Sequence, residues 1–178
     1  LRRDIIRRRG GAEVGARVTT IHGFALGLLR ELGDPEQDLR LLRAPEQEQR
    51  LRDLLEGEGE RSWPEEVRAA ARTRAFARQL RDFLLRSIER GLGPGDLERL
   101  GAEHGRPMWS AAGEFLREYE RVQLLSRAHS YSAAELVTAV LQRPQLLREH
   151  PFHTIIVDDA QLLDPTAGKL IREMVPQA

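Results

Sequence analysis

Asp158 and Asp159 close an apolar run, Ile155-Ile156-Val157, and Gln161 follows two residues later. From His153 to Asp158 the pattern reads as a strand apolar on both faces, as a strand buried inside a parallel sheet does. The carboxyl end of such a strand is where α/β sheets bind ligands. Adjacent carboxylates there can divide the work: one reaches a Mg²⁺ that bridges nucleotide phosphates, and the next polarises an attacking water. A glutamine two residues on can sense the terminal phosphate and relay its presence. The alternative is structural, with both acids simply ending a strand and capping the next turn.

A second stretch, Val18-Thr19-Thr20-Ile21-His22-Gly23-Phe24, places Thr20 and His22 where they could bond a phosphate or stack on a base. Gly23 would permit close backbone approach. The alternative is a strand end with an ordinary histidine. His104, His129, His150 and His153 lack metal-ligand spacing and read as structural or solvated. Trp63, Trp109 and Tyr119 sit at helical spacing among aliphatics and read as core. Arg2, Arg3, Arg7, Arg8 and Arg9 form a basic cluster whose default is a solvated helix face. A phosphate-binding loop needs Gly-x-x-x-x-Gly-Lys followed by Ser or Thr. The one Gly-Lys pair, Gly168-Lys169, is followed by Leu170 and preceded at the needed spacing by Leu163, so these 178 residues hold no such loop. The chain alone is expected not to hydrolyse ATP.

The elements that must position these residues can be read from pattern. Leu1 to Arg9 could form a helix ended by Gly10-Gly11. Arg17–Thr20 is β-branched and reads as a strand running into a helix over Gly23–Glu31, with Phe24, Leu28 and Leu29 on one face. From Gly33 to about Ser130 nearly everything reads as helix. Pro45 opens Glu46–Leu55. Ser62-Trp63-Pro64-Glu65 is a capping box for one long helix carrying Val67, Phe76, Leu80, Phe83, Leu84 and Ile88, stopped by Gly91, Gly93 and Pro94. Asp96–Glu103 is a short helix. Pro107–Arg127 is a longer one, with Trp109, Phe115, Leu116, Tyr119, Val122 and Leu125 apolar. Ser132-Ala133-Ala134-Glu135 is a second capping box, for a helix through Leu141, and Pro144–His150 adds a turn or two. Asp164 and Pro165 suit the N-cap and first position of a helix over Thr166–Val175. Strand, turn and helix at both ends, with helices between, imply an α/β, predominantly helical fold interrupted by an α insertion.

Composition narrows the class. The 28 basic residues balance 28 acidic ones, which excludes a polycation that grips nucleic acid by bulk charge. Only Lys169 is lysine, so 27 of the 28 are arginine, spread evenly over the predicted helices. Cysteine is absent, which excludes disulfide scaffolds and Cys-ligated zinc. No apolar run nears the roughly 18 residues of a membrane span, and no apolar signal segment leads the chain, so a cytoplasmic setting is expected. The chain starts at Leu1 and stops at Ala178 just after an apolar stretch, which reads as a piece of something larger.

Together the two stretches resemble superfamily 1 DNA helicases of the UvrD/Rep and RecB type. Val18-Thr19-Thr20-Ile21-His22-Gly23-Phe24-Ala25 with Leu28-Leu29-Arg30 resembles the family's single-strand-binding motif Ib, and Val157-Asp158-Asp159-Ala160-Gln161 resembles motif II, the Walker B element. Ser132-Ala133-Ala134-Glu135-Leu136 occupies the place of a family Asp-Phe-x-Asp-Leu segment. The resemblance implies that residues 1–31 and 130–178 belong to a partial RecA-like parallel-sheet domain, 1A, and residues 32–129 to an all-helical insertion, 1B. It implies Asp158 as a Mg²⁺ ligand, Asp159 in the place of the catalytic Glu, Gln161 as the residue that contacts ATP and couples its hydrolysis, and Thr20 and His22 as DNA contacts. Asp159 is one methylene shorter than the usual Glu, and Leu162 replaces a frequent acid. Pro45-Glu46-Gln47, Trp63-Pro64, Phe76-Ala77 with Leu80-Arg81-Asp82, Glu89-Arg90-Gly91-Leu92 and Gly105-Arg106-Pro107 with Trp109 are similar to actinobacterial helicase–nuclease subunits of the AdnA/AdnB kind.

The expectation is therefore part of an ATP-dependent DNA helicase or translocase acting in repair or recombination. Its cofactors would be ATP and Mg²⁺. Its partners would be single-stranded or duplex DNA, the rest of the same helicase chain and, in a two-subunit enzyme, a second helicase–nuclease subunit, with no membrane involved. A non-catalytic helical module for protein or DNA interaction is the rival, and a Mg²⁺-dependent hydrolase using the two acids is a weaker third. The helical block is expected to be the stable part. Ile155–Asp158, lacking strand neighbours, should fray, lean on Leu1–Arg9 or pair with another chain.

Overall fold

The computed structural model describes residues 18–32, 39–57, 63–125, 130–148 and 154–175. The expected helix over Leu1–Arg9, Arg17, Ser62, His129, His150 and His153 lie outside the described residues. The first element is α1 (Ile21–Leu32), whose Phe24, Ala25, Leu28 and Leu29 are buried on one face. β1 (Arg40–Leu41) leads to α2 (Ala44–Gly57), where the Glu46 carboxylate accepts from the Arg43 amide at 3.0 Å and closes the first turn. That bond, with Arg40 and Arg43 nearby, holds the Glu46 carboxyl below the usual carboxylate range.

The single helix expected from Glu65 onward is broken. A four-residue α3 (Glu65–Arg68) and a 3-10 turn (Ala70–Arg72) precede α4 (Arg74–Glu89). Thr73 is the cause. It is extended (φ −89°, ψ 149°), its hydroxyl accepts from the Phe76 amide at 3.2 Å and donates to Ala70 O at 2.7 Å, so it caps a new helix. At its other end α4 stops as expected, at Gly91 (φ +74°). The Leu92 amide reaches Ser87 O at 2.9 Å and the Gly91 amide reaches Ile88 O at 2.8 Å, a Schellman closure.

α5 (Pro94–Glu103) has proline at its first position, and the Asp96 carboxylate accepts from the Gly93 amide at 3.1 Å. It ends in a second Schellman closure at Gly105 (φ +59°), with the Arg106 amide on Gly101 O at 2.7 Å. α6 (Pro107–Leu125) folds back against α5. The two backbones touch through Gly101 and Gly113. A Cβ on Gly101 would lie 2.6 Å from the Ser110 amide nitrogen, and one on Gly113 would lie 2.6 Å from Pro94 O.

β2 (Ser130–Tyr131) pairs parallel with β1, Arg40 opposite Ser130 and Leu41 opposite Tyr131, so the chain enters and leaves the helical block side by side. Arg50 on α2 bonds Gln123 Oε1 at 3.0 Å and Ser130 Oγ at 3.2 Å across that entrance. α7 (Ala133–Leu141) starts in the expected capping box: Ser132 Oγ accepts from the Glu135 amide and Glu135 Oε2 accepts from the Ser132 amide at 2.6 Å. α8 (Gln145–Arg148) and α9 (Pro165–Met174) follow, and Asp164 caps α9 by accepting from the Ala167 amide at 2.9 Å.

The described residues are thus predominantly helical, with a two-stranded parallel sheet. Two apolar clusters carry the packing. One joins α2, α4, α5 and α6 around Phe115, Leu116, Leu51 and Trp63, with Trp63 edge-on to Phe76 at 4.9 Å between ring centroids. Tyr119 is buried here as expected, while Trp109 is half-buried and Val122 is 42% exposed rather than core. The second cluster gathers Phe24, Leu28, Leu136, Val140, Leu147 and Leu170 from α1, α7, α8 and α9, the two ends of the chain. No helix among the described residues is long and apolar enough to cross a membrane.

Two expected strands do not form among the described residues. Residues 18–20 are irregular, and α1 begins at Ile21, two positions before the expected start. Thr154–Val157 is irregular too, with Ile156 89% exposed. An apolar strand forms only when neighbouring strands take up its amides and carbonyls. Among the described residues the sheet consists of β1 and β2, and neither pairs with this segment.

Candidate functional site

Asp158 and Asp159 follow the irregular segment in a turn, and Ala160–Leu162 makes one 3-10 turn before Asp164 caps α9. Asp159 is left-handed (φ 51°, ψ 41°), the one non-glycine residue with positive φ among those described. Aspartate tolerates this region better than most residues because its short carboxylate bonds locally. Here Asp159 Oδ1 accepts from Gln161 Nε2 at 3.0 Å, and Asp159 O accepts from the Leu162 amide at 2.9 Å. The left-handed residue therefore folds the chain back so that Asp159 and Gln161 share one exposed face, with Asp158 next to them.

Asp158 is exposed and bonds to no described residue. Its carboxylate is a hard oxygen ligand open to solvent, the type Mg²⁺ takes one or two of while keeping waters and phosphate oxygens. No cluster of three or more candidate metal-ligating side chains occurs among the described residues. The donors present fit an ion shared with a bound phosphate, not a closed structural site. The turn does not line either of two open grooves among the described residues, of about 510 Å³ and 500 Å³, one lined by Trp63 and Gly101 and the other by Arg50 and Tyr119.

Thr20 and His22 sit together at the start of α1. The Thr20 hydroxyl accepts from the Gly23 amide at 3.1 Å and its carbonyl from the Phe24 amide at 2.8 Å, so Thr20 is the helix cap rather than a strand end. Its hydroxyl can still donate to an acceptor outside the helix. His22, half-buried in the first turn, and Ile21 present backbone amides with no acceptor among the described residues. Amides at a helix N-terminus, on the positive end of its dipole, suit a phosphate oxygen. A Cβ on Gly23 would come within 2.6 Å of the Thr19 hydroxyl, so glycine keeps this entrance open.

The elements that follow the two sets meet in the second cluster, Phe24 and Leu28 from α1 and Leu170 from α9. No hydrogen bond or ion pair joins the two sets among the described residues. Sequence reasoning missed Thr166. Its hydroxyl, on the buried face of the first turn of α9, donates to Ile88 O at 3.0 Å and Glu89 O at 2.8 Å. The one signal was a polar residue on what would be the buried face of a helix opened by Asp164-Pro165.

A family model described as the UvrD/REP helicase N-terminal domain matches residues 3–178, nearly the whole chain. No curated protein matches it significantly. The match spans both the turn at Asp158–Gln161 and the helix start at Thr20–His22, and the chain belongs to the UvrD/REP helicase family.

Proposed function

We propose that the chain supplies the nucleotide-handling turn and a single-strand contact of an ATP-dependent DNA helicase. The observation that carries this is the Asp158–Gln161 turn: two adjacent exposed carboxylates with Gln161 bonded to the second, in a chain of a helicase family. Asp158 would hold the metal. Mg²⁺, when bound, neutralises charge on the nucleotide phosphates. Asp159 accepts a hydrogen bond and a proton from the attacking water, in the place of a longer Glu, and Gln161 exchanges its bond to Asp159 for one to the phosphate. Thr20 and His22 receive a DNA backbone phosphate at the head of α1.

In this proposal residues 1–31 and 130–178 form part of the RecA-like domain 1A and residues 32–129 the insertion 1B. The two clusters support it, one built from both ends of the chain and the other from its middle, joined there by Ala134. The phosphate loop comes from outside these residues, so the chain alone is inactive. The sequence likeness to AdnA/AdnB-type subunits supports a cytoplasmic repair or recombination enzyme, with a second subunit as partner. A non-catalytic helical module is the second reading, favoured by the continuous core of α2, α4, α5 and α6 and the exposure of Ile156.

Asp158→Ala in the full-length protein separates the two. Loss of DNA-stimulated ATP turnover with single-strand binding retained is the expected result. Unchanged turnover would leave the helical module standing.

A further inference from the structure

The last four carbonyls of a helix have no partner inside it. At the end of α4, Arg86 O takes the Arg90 guanidinium at 3.0 Å, Ser87 O takes the Arg90 and Leu92 amides, and Ile88 O takes the Gly91 amide. Glu89 O is met from a distant part of the chain, by Thr166 Oγ1 at 2.8 Å, and the same hydroxyl lies 3.0 Å from Ile88 O. One proton serves both carbonyls in a bifurcated bond. Thr166 is 6% exposed, so water does not substitute for it.

Its place in the chain gives the bond a second meaning. Thr166 is in the first turn of α9, which starts after the Asp158–Gln161 turn and the short link through Leu163 and Asp164. Farther along α9, fully buried Leu170 packs into the cluster of α1, α7 and α8. α9 is thus seated on the cluster of the two chain ends by Leu170 and tied to the helical insertion by Thr166. Just past the carbonyls that Thr166 holds, Gly91 and Gly93 lead into α5 and its tight contact with α6.

We propose that Thr166 is a positioning residue that couples the Asp158–Gln161 turn to the helical insertion through the C-terminal carbonyls of α4. This rests on the motor function proposed above. A shift of the turn on nucleotide binding moves the first turn of α9, and the Thr166 hydroxyl carries that shift to the end of α4. A residue that only satisfied buried carbonyls would change stability alone. Because α9 shares its cluster with α1, whose head receives DNA in that function, a residue that anchors α9 to α4 also changes how strongly DNA stimulates ATP turnover.

The test uses the full-length protein bearing Thr166→Val, Thr166→Ala or Thr166→Ser, with Asp159→Ala as control. The readout is the ratio of ATP turnover with and without single-stranded DNA, beside the thermal unfolding midpoint. Valine keeps the shape and removes the donor; alanine removes the same donor without adding an atom, in case valine prevents folding. The ratio is expected to fall roughly two- to thirtyfold in the valine and alanine variants, the span of typical coupling energies, and to return with serine. A wild-type ratio in either folded non-hydroxyl variant, with Asp159→Ala inactive, overturns the coupling. Failure of serine to restore the ratio overturns the hydroxyl as its carrier. Wild-type turnover in Asp159→Ala overturns the motor function instead.

Discussion

Asp159 is where backbone and chemistry meet most closely. Its left-handed backbone is favoured by a short polar side chain, and its carboxylate is the acceptor for Gln161. Asparagine keeps both features, since it tolerates positive φ and offers an amide oxygen. Asp159→Asn should therefore leave the stability of the chain within about 0.5 kcal/mol, whereas Asp159→Val, β-branched at positive φ, should cost on the order of 1–2 kcal/mol. Chemical denaturation of the three proteins measures both; equal stability of the valine variant would contradict the strain argument. Thr20 makes a similar case. Removing its hydroxyl in Thr20→Ala leaves the Gly23 amide uncapped and should cost about 1 kcal/mol, while Thr20→Ser should cost little.

At the scale of elements, glycine has opposite meanings in α1 and in the α5–α6 pair. Gly27 lies inside α1, and a Cβ added there would meet nothing within 4 Å, so Gly27→Ala should stabilise by about 0.5–1 kcal/mol through helix propensity. Gly113 faces Pro94 O and the Glu98 amide, both backbone, so Gly113→Ala should destabilise by about 1–3 kcal/mol by forcing the helices apart. Thermal unfolding of the pair decides it, and a stable Gly113→Ala protein would show that α5 and α6 give way easily. The start of α7 has its own pH signature. Burial pushes the Glu135 carboxyl above the usual carboxylate range, against the downward pull of the Ser132 amide and hydroxyl and of Arg50. Burial and the charge of Glu135 also push Glu120 up. With a raised folded value, the native state holds the proton more tightly than the unfolded chain. Stability contributed by this group is then full below the ordinary carboxylate value and is lost as pH rises through the raised one. Glu135→Gln keeps an oxygen for the Ser132 amide and removes the charge. It should flatten the decline in unfolding midpoint above the ordinary carboxylate range; an unchanged slope would place the titration elsewhere.

Across the whole molecule, the helical middle has a continuous core while the segment before Asp158 stands without strand partners among the described residues. Hydrogen exchange should find α4 and α6 well protected and the Ile155–Val157 amides close to unprotected in a monomer of this chain. Strong protection there would mean that the segment pairs in solution. What could be read beforehand follows the same division. Caps were legible because Ser132 with Glu135, and Asp164 with Pro165, satisfy amides within three residues, and Gly91 stops α4 by its own backbone freedom. The break at Thr73 was not legible, since Arg72-Thr73-Arg74 carries no glycine or proline to mark it. The strand expected at Arg17–Thr20 came from β-branched residues, and in the structure Thr20 uses its hydroxyl to start a helix instead. Ile155–Val157 has strand composition, but a strand is a property of its neighbours as much as of its residues. Thr166 bonds to a carbonyl 77 positions away, which no local pattern can show. Asp158, Asp159 and Gln161 stood out in the sequence as candidates by their place after an apolar run, whereas the left-handed turn that brings Asp159 to Gln161 did not.

The division of labour between the two acids is the central claim, and nucleotide affinity and ATP turnover of the full-length protein with Asp159→Asn test it most directly. Expected is MgATP affinity near wild type with turnover reduced about 10²- to 10⁴-fold, the usual contribution of a positioned general base. Turnover at the wild-type rate would contradict the assignment of Asp159 to the hydrolytic step.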